Sequence, residues 1–241
     1  MDGNVTHFGL EACNAAYRLW ETSERGSPES EEAAQILKRW KQRKERQDEF
    51  LARRGRRYAD ARFETFIVSN DTQQRVVDAL RDYAANAVAN LKAGRNVLLV
   101  GPRGTGKDHL LTALAKEVFN TCEAITKWEN GCDLVSTWRR QAIGEASDWP
   151  DYYGPDSNVL FISDLLPPAE PLSAYCQAKA FKLIDKRYSD RSPLWLSLNV
   201  ASAAELNQRL GAQSADRLRH DALVLQCNWP SYRTEATKQG G

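Results

Sequence analysis

Two hydrophobic rhythms alternate along this chain. Val97-Leu98-Leu99-Val100 is an unbroken apolar run, the mark of a strand buried on both faces. Similar short runs predict strands at Ala124–Trp128, Val159–Ile162, Leu194–Val200 and Ala222–Cys227. Between them the period lengthens. Val76, Leu80, Tyr83, Ala87 and Leu91 recur at helical spacing, from a starting box at Asn70 and Gln73 to a stop at Gly94. Leu110, Leu114 and Val118, with Leu111, Ala115 and Phe119, line one face of another helix. Asp133–Ile143 and Ser173–Tyr188 also read as helical. Strands alternating with helices predict a parallel sheet covered on both sides, a three-layer α/β fold over residues 59–241.

The first 58 residues follow neither rhythm cleanly. Ala12–Trp20 suits a short helix, and Ser23 to Pro28 is rich in breakers. Ten Lys or Arg fall between Lys38 and Arg57, against three acids. Ile36, Leu37, Trp40, Phe50 and Leu51 give only a thin apolar stripe. The pattern predicts an N-terminal helical arm, a long exposed basic helix. It is either a solvated face or a docking arm for a protein or a nucleic-acid backbone.

The chemistry concentrates where the first strand ends. Gly101-Pro102-Arg103-Gly104-Thr105-Gly106-Lys107 runs straight into the next helix. Gly101, Gly104 and Gly106 let successive N–H groups point inward at phosphate oxygens, and the helix start adds its positive end. Lys107 reaches the terminal phosphates. The spacing is that of a P-loop except at the last position, where Ser or Thr is expected and Asp108 stands. A carboxylate about 4 Å from a phosphate oxygen is repelled by about 4 kcal/mol at an effective dielectric near 20. Asp108 therefore either points away and starts the helix, or ligates the cation.

Val159-Leu160-Phe161-Ile162-Ser163-Asp164 is the second nucleotide strand. Such strands end in two acids, one for the metal and one for the attacking water. Here Ser163 takes the first place and Asp164 the second. The expectation is an exchange of ligands, with Asp108, Ser163 and Asp164 forming the Mg²⁺ shell. The alternative is a site that holds ATP or ADP and hydrolyses poorly.

Bulk composition narrows the picture without changing it. The chain has 241 residues, 42% apolar and 27% charged, with a net charge of +1, so nucleic-acid or membrane binding must come from local patches. No apolar run is long enough to span a bilayer, and no signal pattern opens the chain. Five scattered cysteines with no Cys-x-x-Cys pair point to a reducing cytoplasm rather than disulfides or zinc. Trp138-Arg139-Arg140, with Lys127 and Trp128, combines rings and cations suited to unpaired bases.

Taken together, these strings resemble the DnaC/IstB group of AAA+ ATPases, most like the bacterial or phage replicative helicase loaders. The resemblance runs from about Arg62 to Arg233. Arg62-Phe63-Glu64-Thr65-Phe66 resembles the family's opening motif, and Lys107-Asp108-His109-Leu110 its loop followed by His-Leu. Asp133-Leu134-Val135, Leu196-Ser197-Leu198-Asn199, Asp216-Arg217-Leu218 and Trp229-Pro230-Ser231-Tyr232-Arg233 resemble later family segments. The likeness implies an AAA+ P-loop domain in which Asn199 is the polar sensor and Arg217 a finger acting on a neighbouring subunit. Arg219 competes for that finger role, and Arg233 is a second sensor. It implies ATP or ADP with Mg²⁺, a replicative helicase gripped by the N-terminal helices, contact with single-stranded DNA, and self-assembly through Arg217. An IstB-like transposition helper and a non-hydrolysing nucleotide-sensing regulator remain the alternatives. Leu166-Pro167-Pro168 replaces a glycine-containing turn, and eight residues after Arg233 leave little for a helical lid.

Overall fold

The computed structural model describes residues 10–122, 124, 126–145, 158–166 and 170–235. At its centre lies a five-stranded sheet in the order β2-β3-β4-β1-β5, with every pairing parallel. The strands are β1 (Val97–Val100), β2 (Thr126–Asn130), β3 (Val159–Ser163), β4 (Leu194–Leu198) and β5 (Leu223–Gln226). Only β2 is displaced from its expected place. It pairs residue for residue with β3, from Thr126 opposite Val159 to Asn130 opposite Ser163. As an edge strand with one neighbour it tolerates Lys127 and Glu129, which broke the apolar pattern.

Each return crossing is helical. α5 (Lys107–Thr121) links β1 to β2, α6 (Gly131–Ala142) links β2 to β3, and α7 (Ala174–Ser189) lies between β3 and β4. α8 (Ala203–Leu210) and α9 (Ala212–Arg219) precede β5. Strand side chains alternate between two cores. Val97, Leu99, Val159, Phe161 and Trp195 face α5 and the upstream helices, among Leu80, Tyr83 and Phe119. Leu98, Val100, Leu160, Ile162, Leu196 and Leu198 face the α6–α9 side, with Trp138, Leu183, Leu206 and Leu218. This is the expected three-layer arrangement.

The helix expected from Asn70 to Gly94 is two helices, α3 (Asp71–Ala85) and α4 (Ala87–Ala93). The break falls at Asn86, whose side-chain amide donates to the Asp82 carbonyl at 3.0 Å and to its carboxylate at 3.2 Å. The Asn70 carboxamide caps α3 by accepting from the Gln73 N–H at 3.0 Å, as its sequence box predicts. Gly94 ends α4 in the left-handed conformation, with φ 74°.

The N-terminal arm is α1 (Leu10–Thr22) packed on α2 (Pro28–Arg54). Ser27 caps α2, Pro28 occupies its first turn, and Gly55 stops it before the end of the basic stretch. Lys38, Arg39, Lys41, Lys44 and Arg46 are exposed, as expected. The last two turns bury one face, through Phe50 and Arg54. Phe50 is only 3% exposed and meets Phe119 edge-on at 5.7 Å and Phe161 at 6.5 Å. Arg53 pairs with Glu129 of β2 at 2.7 Å. The α/β core therefore takes in residues upstream of 59.

One surface reading fails. Trp138 is wholly buried under α7, so it offers no ring to a base, although Arg139 and Arg140 are exposed. The Pro167-Pro168 turn lies outside the described residues. A helix that merely leans on a domain can lose one ring cheaply, but Phe50 sits in a packed core. Phe50→Ala is expected to lower unfolding free energy by about 3–5 kcal/mol, read as a shifted denaturant midpoint with unchanged slope.

Candidate functional site

The strand order sets β4 between β1 and β3, so their carboxyl ends open on one crevice. A cavity of about 380 Å³ lies there. Polar groups from Arg103, Lys107, Asp108, Asp164, Ser197, Asn199 and Arg233 line it, together with Arg57, Tyr58, Phe66, Ile67 and Tyr232.

The loop between β1 and α5 has no room for a side chain at Gly104 or Gly106. A Cβ on Gly104 would strike the Ser231 hydroxyl, and one on Gly106 would lie 2.7 Å from the Phe66 ring. Both residues have φ above 80°. The C-terminal segment closes over this loop. The Trp229 indole donates to the Thr105 carbonyl at 3.0 Å, and the Tyr232 amide donates to the Gly104 carbonyl at 3.0 Å. The Tyr232 hydroxyl donates to the Ile67 carbonyl at 2.6 Å and accepts from Gln73 at 3.0 Å. His109 joins the same assembly. Its Nε2 lies 2.8 Å from the Arg62 carbonyl, and its ring lies 5.8 Å from Phe66. Burial pushes its pKa down.

Lys107 starts α5 and is buried. Its ammonium donates to the carbonyls of Gly101 at 2.9 Å and Pro102 at 2.6 Å, and to Thr105 Oγ1 at 3.4 Å. Burial lowers its pKa, opposed by Cys227, Asp164 and Asp108. Thr105 anchors the turn by donating to the Pro102 carbonyl at 3.0 Å.

Asp108 does not cap α5, which has no side-chain cap. Its carboxylate turns toward the end of α2, 3.4 Å from Arg54 Nη2 and 3.4 Å from the Tyr58 hydroxyl. Arg54, with 1% of its side chain exposed, is the site residue that sequence reasoning missed. Its Nε donates to Thr112 Oγ1 at 3.1 Å and its Nη1 to Ser163 Oγ at 3.2 Å. The guanidinium lies over the rings of Tyr58 at 3.9 Å, Trp128 at 4.7 Å and Phe161 at 4.9 Å. One signal pointed to it. Phe50 and Arg54 stand four residues apart, so both share the buried face of α2.

Ser163 ends β3. Its hydroxyl is buried and accepts from the Trp128 indole at 2.8 Å as well as from Arg54. One guanidinium thus contacts both Asp108 and Ser163, the two positions expected to share a metal shell. Asp164 is placed as expected, just past β3 and facing the cavity. Asn199 Nδ2 donates to Asp164 Oδ1 at 2.5 Å, and the Asp164 amide donates to the Ser197 carbonyl at 3.2 Å. Asp164 holds φ 51°, a turn that aims the carboxylate at the loop. Burial and then Asp108 raise its pKa, against the Asn199 hydrogen bond, Lys107 and Arg103. Gly131 lies against the backbone of Asp164 and Leu165 so closely that a Cβ would fall 2.6 Å from the Asp164 carbonyl carbon.

Arg217 lies elsewhere. It pairs with Asp185 of α7 at 2.9 Å and stacks on Phe181 at 4.7 Å. Its rival Arg219 is engaged by the Ala215 carbonyl at 3.1 Å and Asn207 Oδ1 at 3.2 Å.

The cradle fits a nucleotide polyphosphate: backbone packed so tightly that only glycine is admitted, a helix start, a buried ammonium and further cations. Two carboxylates, Asp108 and Asp164, face the same cavity. Mg²⁺ takes one or two carboxylates with phosphate oxygens and water, so this donor set suits a cation brought in with the nucleotide. No cluster of three or more His, Cys, Asp or Glu gathers to hold a metal among the described residues.

A protein-family profile described as "IstB-like ATP binding protein" matches residues 30–240. The chain belongs to this family. No curated protein sequence matches it. Among solved structures, the IstB-like chain is similar to the DnaC helicase loader, with a TM-score of 0.61 and 23% identity over 71% of this chain and 99% of that one. It is similar to DnaI at 0.57 and 17%, over 73% and 93% of the two chains. AMPPCP-bound DnaA from Aquifex aeolicus aligns at 0.54 and 17%, over 75% and 54%. These likenesses establish the AAA+ type of P-loop α/β fold and leave the activity to the site itself.

The raised pKa of Asp164 has a signed consequence. Its ionised form costs stability at every pH above the folded-state value, and the cost vanishes as pH falls to the ordinary value near 3.8. Asp164→Asn is therefore expected to raise the melting temperature at pH 7–8, by a gain that shrinks to nothing toward pH 4. Thermal melts across that range read it directly.

Proposed function

We propose that this IstB-like ATPase is a nucleotide-controlled loader that delivers a ring helicase to single-stranded DNA. The observation that carries the reading is the seating of α2 on the nucleotide crevice. A basic helix that exposes Lys38, Arg39, Lys41, Lys44 and Arg46 ends in side-chain contact with Asp108. The similar architecture of the DnaC helicase loader supports the same role. Arg139 and Arg140 remain as exposed cations for a DNA backbone. No disulfide joins Cys13, Cys122, Cys132, Cys176 and Cys227.

The chemistry follows from the residues. Backbone N–H groups of Gly104 to Lys107 receive the phosphates, and Lys107 leaves its loop carbonyls to meet the terminal one. Mg²⁺, when bound with ATP, offsets the phosphate charge. Asp164, with its pKa raised by burial and its oxygen fixed by Asn199, takes the proton of the attacking water. Arg233 neutralises phosphate charge from within its own subunit. Arg217, released from Asp185, does so from a neighbouring one.

A second reading is favoured by the family match itself: a transposition helper that acts on duplex DNA and a transposase. Co-purification separates the two. The wild-type chain is expected to retain the host replicative helicase with ATP, and Lys107→Ala to bind ATP at least tenfold more weakly and lose that capture. Capture of a transposase in place of the helicase selects the second reading. Retention of the helicase by Lys107→Ala regardless of ATP removes nucleotide control.

A further inference from the structure

We propose that Arg54 is a positioning residue of the nucleotide site. Its guanidinium holds and neutralises the Asp108 carboxylate beside the phosphate cradle, so the arm helix supplies charge that the cradle lacks. This rests on the nucleotide-binding reading above.

The need for such a residue is set by Asp108. At the position after the loop lysine a hydroxyl is neutral and costs a phosphate nothing. A carboxylate facing the same cavity as Lys107 and Asp164 repels the ligand that the rest of the cradle attracts. Arg54 meets that charge from behind, at 3.4 Å from Asp108 Oδ2, while Nη2 also lies 3.5 Å from the Asp108 carbonyl. The guanidinium is fixed rather than swinging. Thr112 and Ser163 take its other edges, and Tyr58, Trp128 and Phe161 surround its plane. Thr112 closes the ring of contacts by donating to the Asp108 carbonyl at 2.7 Å.

The geometry differs from ordinary packing in one respect. Arg54 touches the two positions that break the P-loop pattern, Asp108 and Ser163, and answers both together. The acid after Lys107 gains a counter-charge. The hydroxyl at the end of β3 is what a guanidinium tolerates beside Asp108 without a second carboxylate crowding the pair. The departures at these positions and the arginine at the end of α2 thus form one arrangement.

Calorimetric titration of ATP and of ADP into the full chain tests it, with and without Mg²⁺. Asp108→Ser sets the reference for a neutral cradle. Arg54→Gln, which keeps hydrogen-bonding groups near Thr112 and Ser163 without charge, is expected to bind ATP at least tenfold more weakly than wild type. In the Asp108→Ser background the same change is expected to shift affinity less than threefold, a rescue that a purely structural role would not give. Equal tenfold losses in both backgrounds, or no loss in either, overturn the proposal. Should Arg54→Gln alone fail to fold, the comparison of Asp108→Ser with the double variant decides by the same margin. A wild-type chain that takes up no nucleotide overturns the functional reading as well, whereas binding with additive losses overturns only this inference.

Discussion

A buried guanidinium is the most demanding group in this molecule. Taking Arg54 out of water costs several kcal/mol unless its donors and its charge are met in place. Meeting them fixes the relative positions of four elements: the end of α2, the first turns of α5, the end of β3 and the edge strand β2 that brings Trp128. Arg53 and Phe50 reinforce the same seat through Glu129, Phe119 and Phe161. The arm and the nucleotide crevice are therefore parts of one packed structure, and α1 and the upstream turns of α2 extend from it.

The opposite wall of the crevice is built from backbone. Trp229 and Tyr232 bond to loop carbonyls, while His109, Trp229 and Tyr232 pack as rings around Phe66, which presses on Gly106. Residues far apart in sequence, from Arg62 to Tyr232, converge on a loop of seven residues. Glycine is retained there because protein atoms fill the space a side chain would use on one side, which leaves the N–H groups free to face the other.

Much of this was legible beforehand. The apolar runs at Val97, Val159 and Leu194 located three central strands, because strands buried on both faces leave no polar residue to confuse the pattern. The same logic failed at β2, an edge strand with polar side chains. The loop and Asp164 were read from spacing, since one strand end fixes each, and Asn199 from the resemblance of Leu196-Ser197-Leu198-Asn199 to a family segment. Arg54 was hidden in a run of cations, most of them exposed, and only its four-residue spacing from Phe50 hinted at a buried place. The partners of Ser163 were hidden as well: a hydroxyl at a strand end declares its partner only when the third dimension is known. Trp138 showed rings and charges adjacent in sequence, yet one helical turn sends them to opposite sides.

Gly131 joins β2 to α6 with its α-carbon pressed on the peptide that follows Asp164. No side chain intervenes, so there is no soft layer to absorb a displacement. A push on the outer face of α6 by anything docked there would be geared straight into the orientation of the acid at the end of β3. The helix that carries the exposed Arg139 and Arg140 is thereby a lever on the crevice, its first turn resting on the peptide after Asp164.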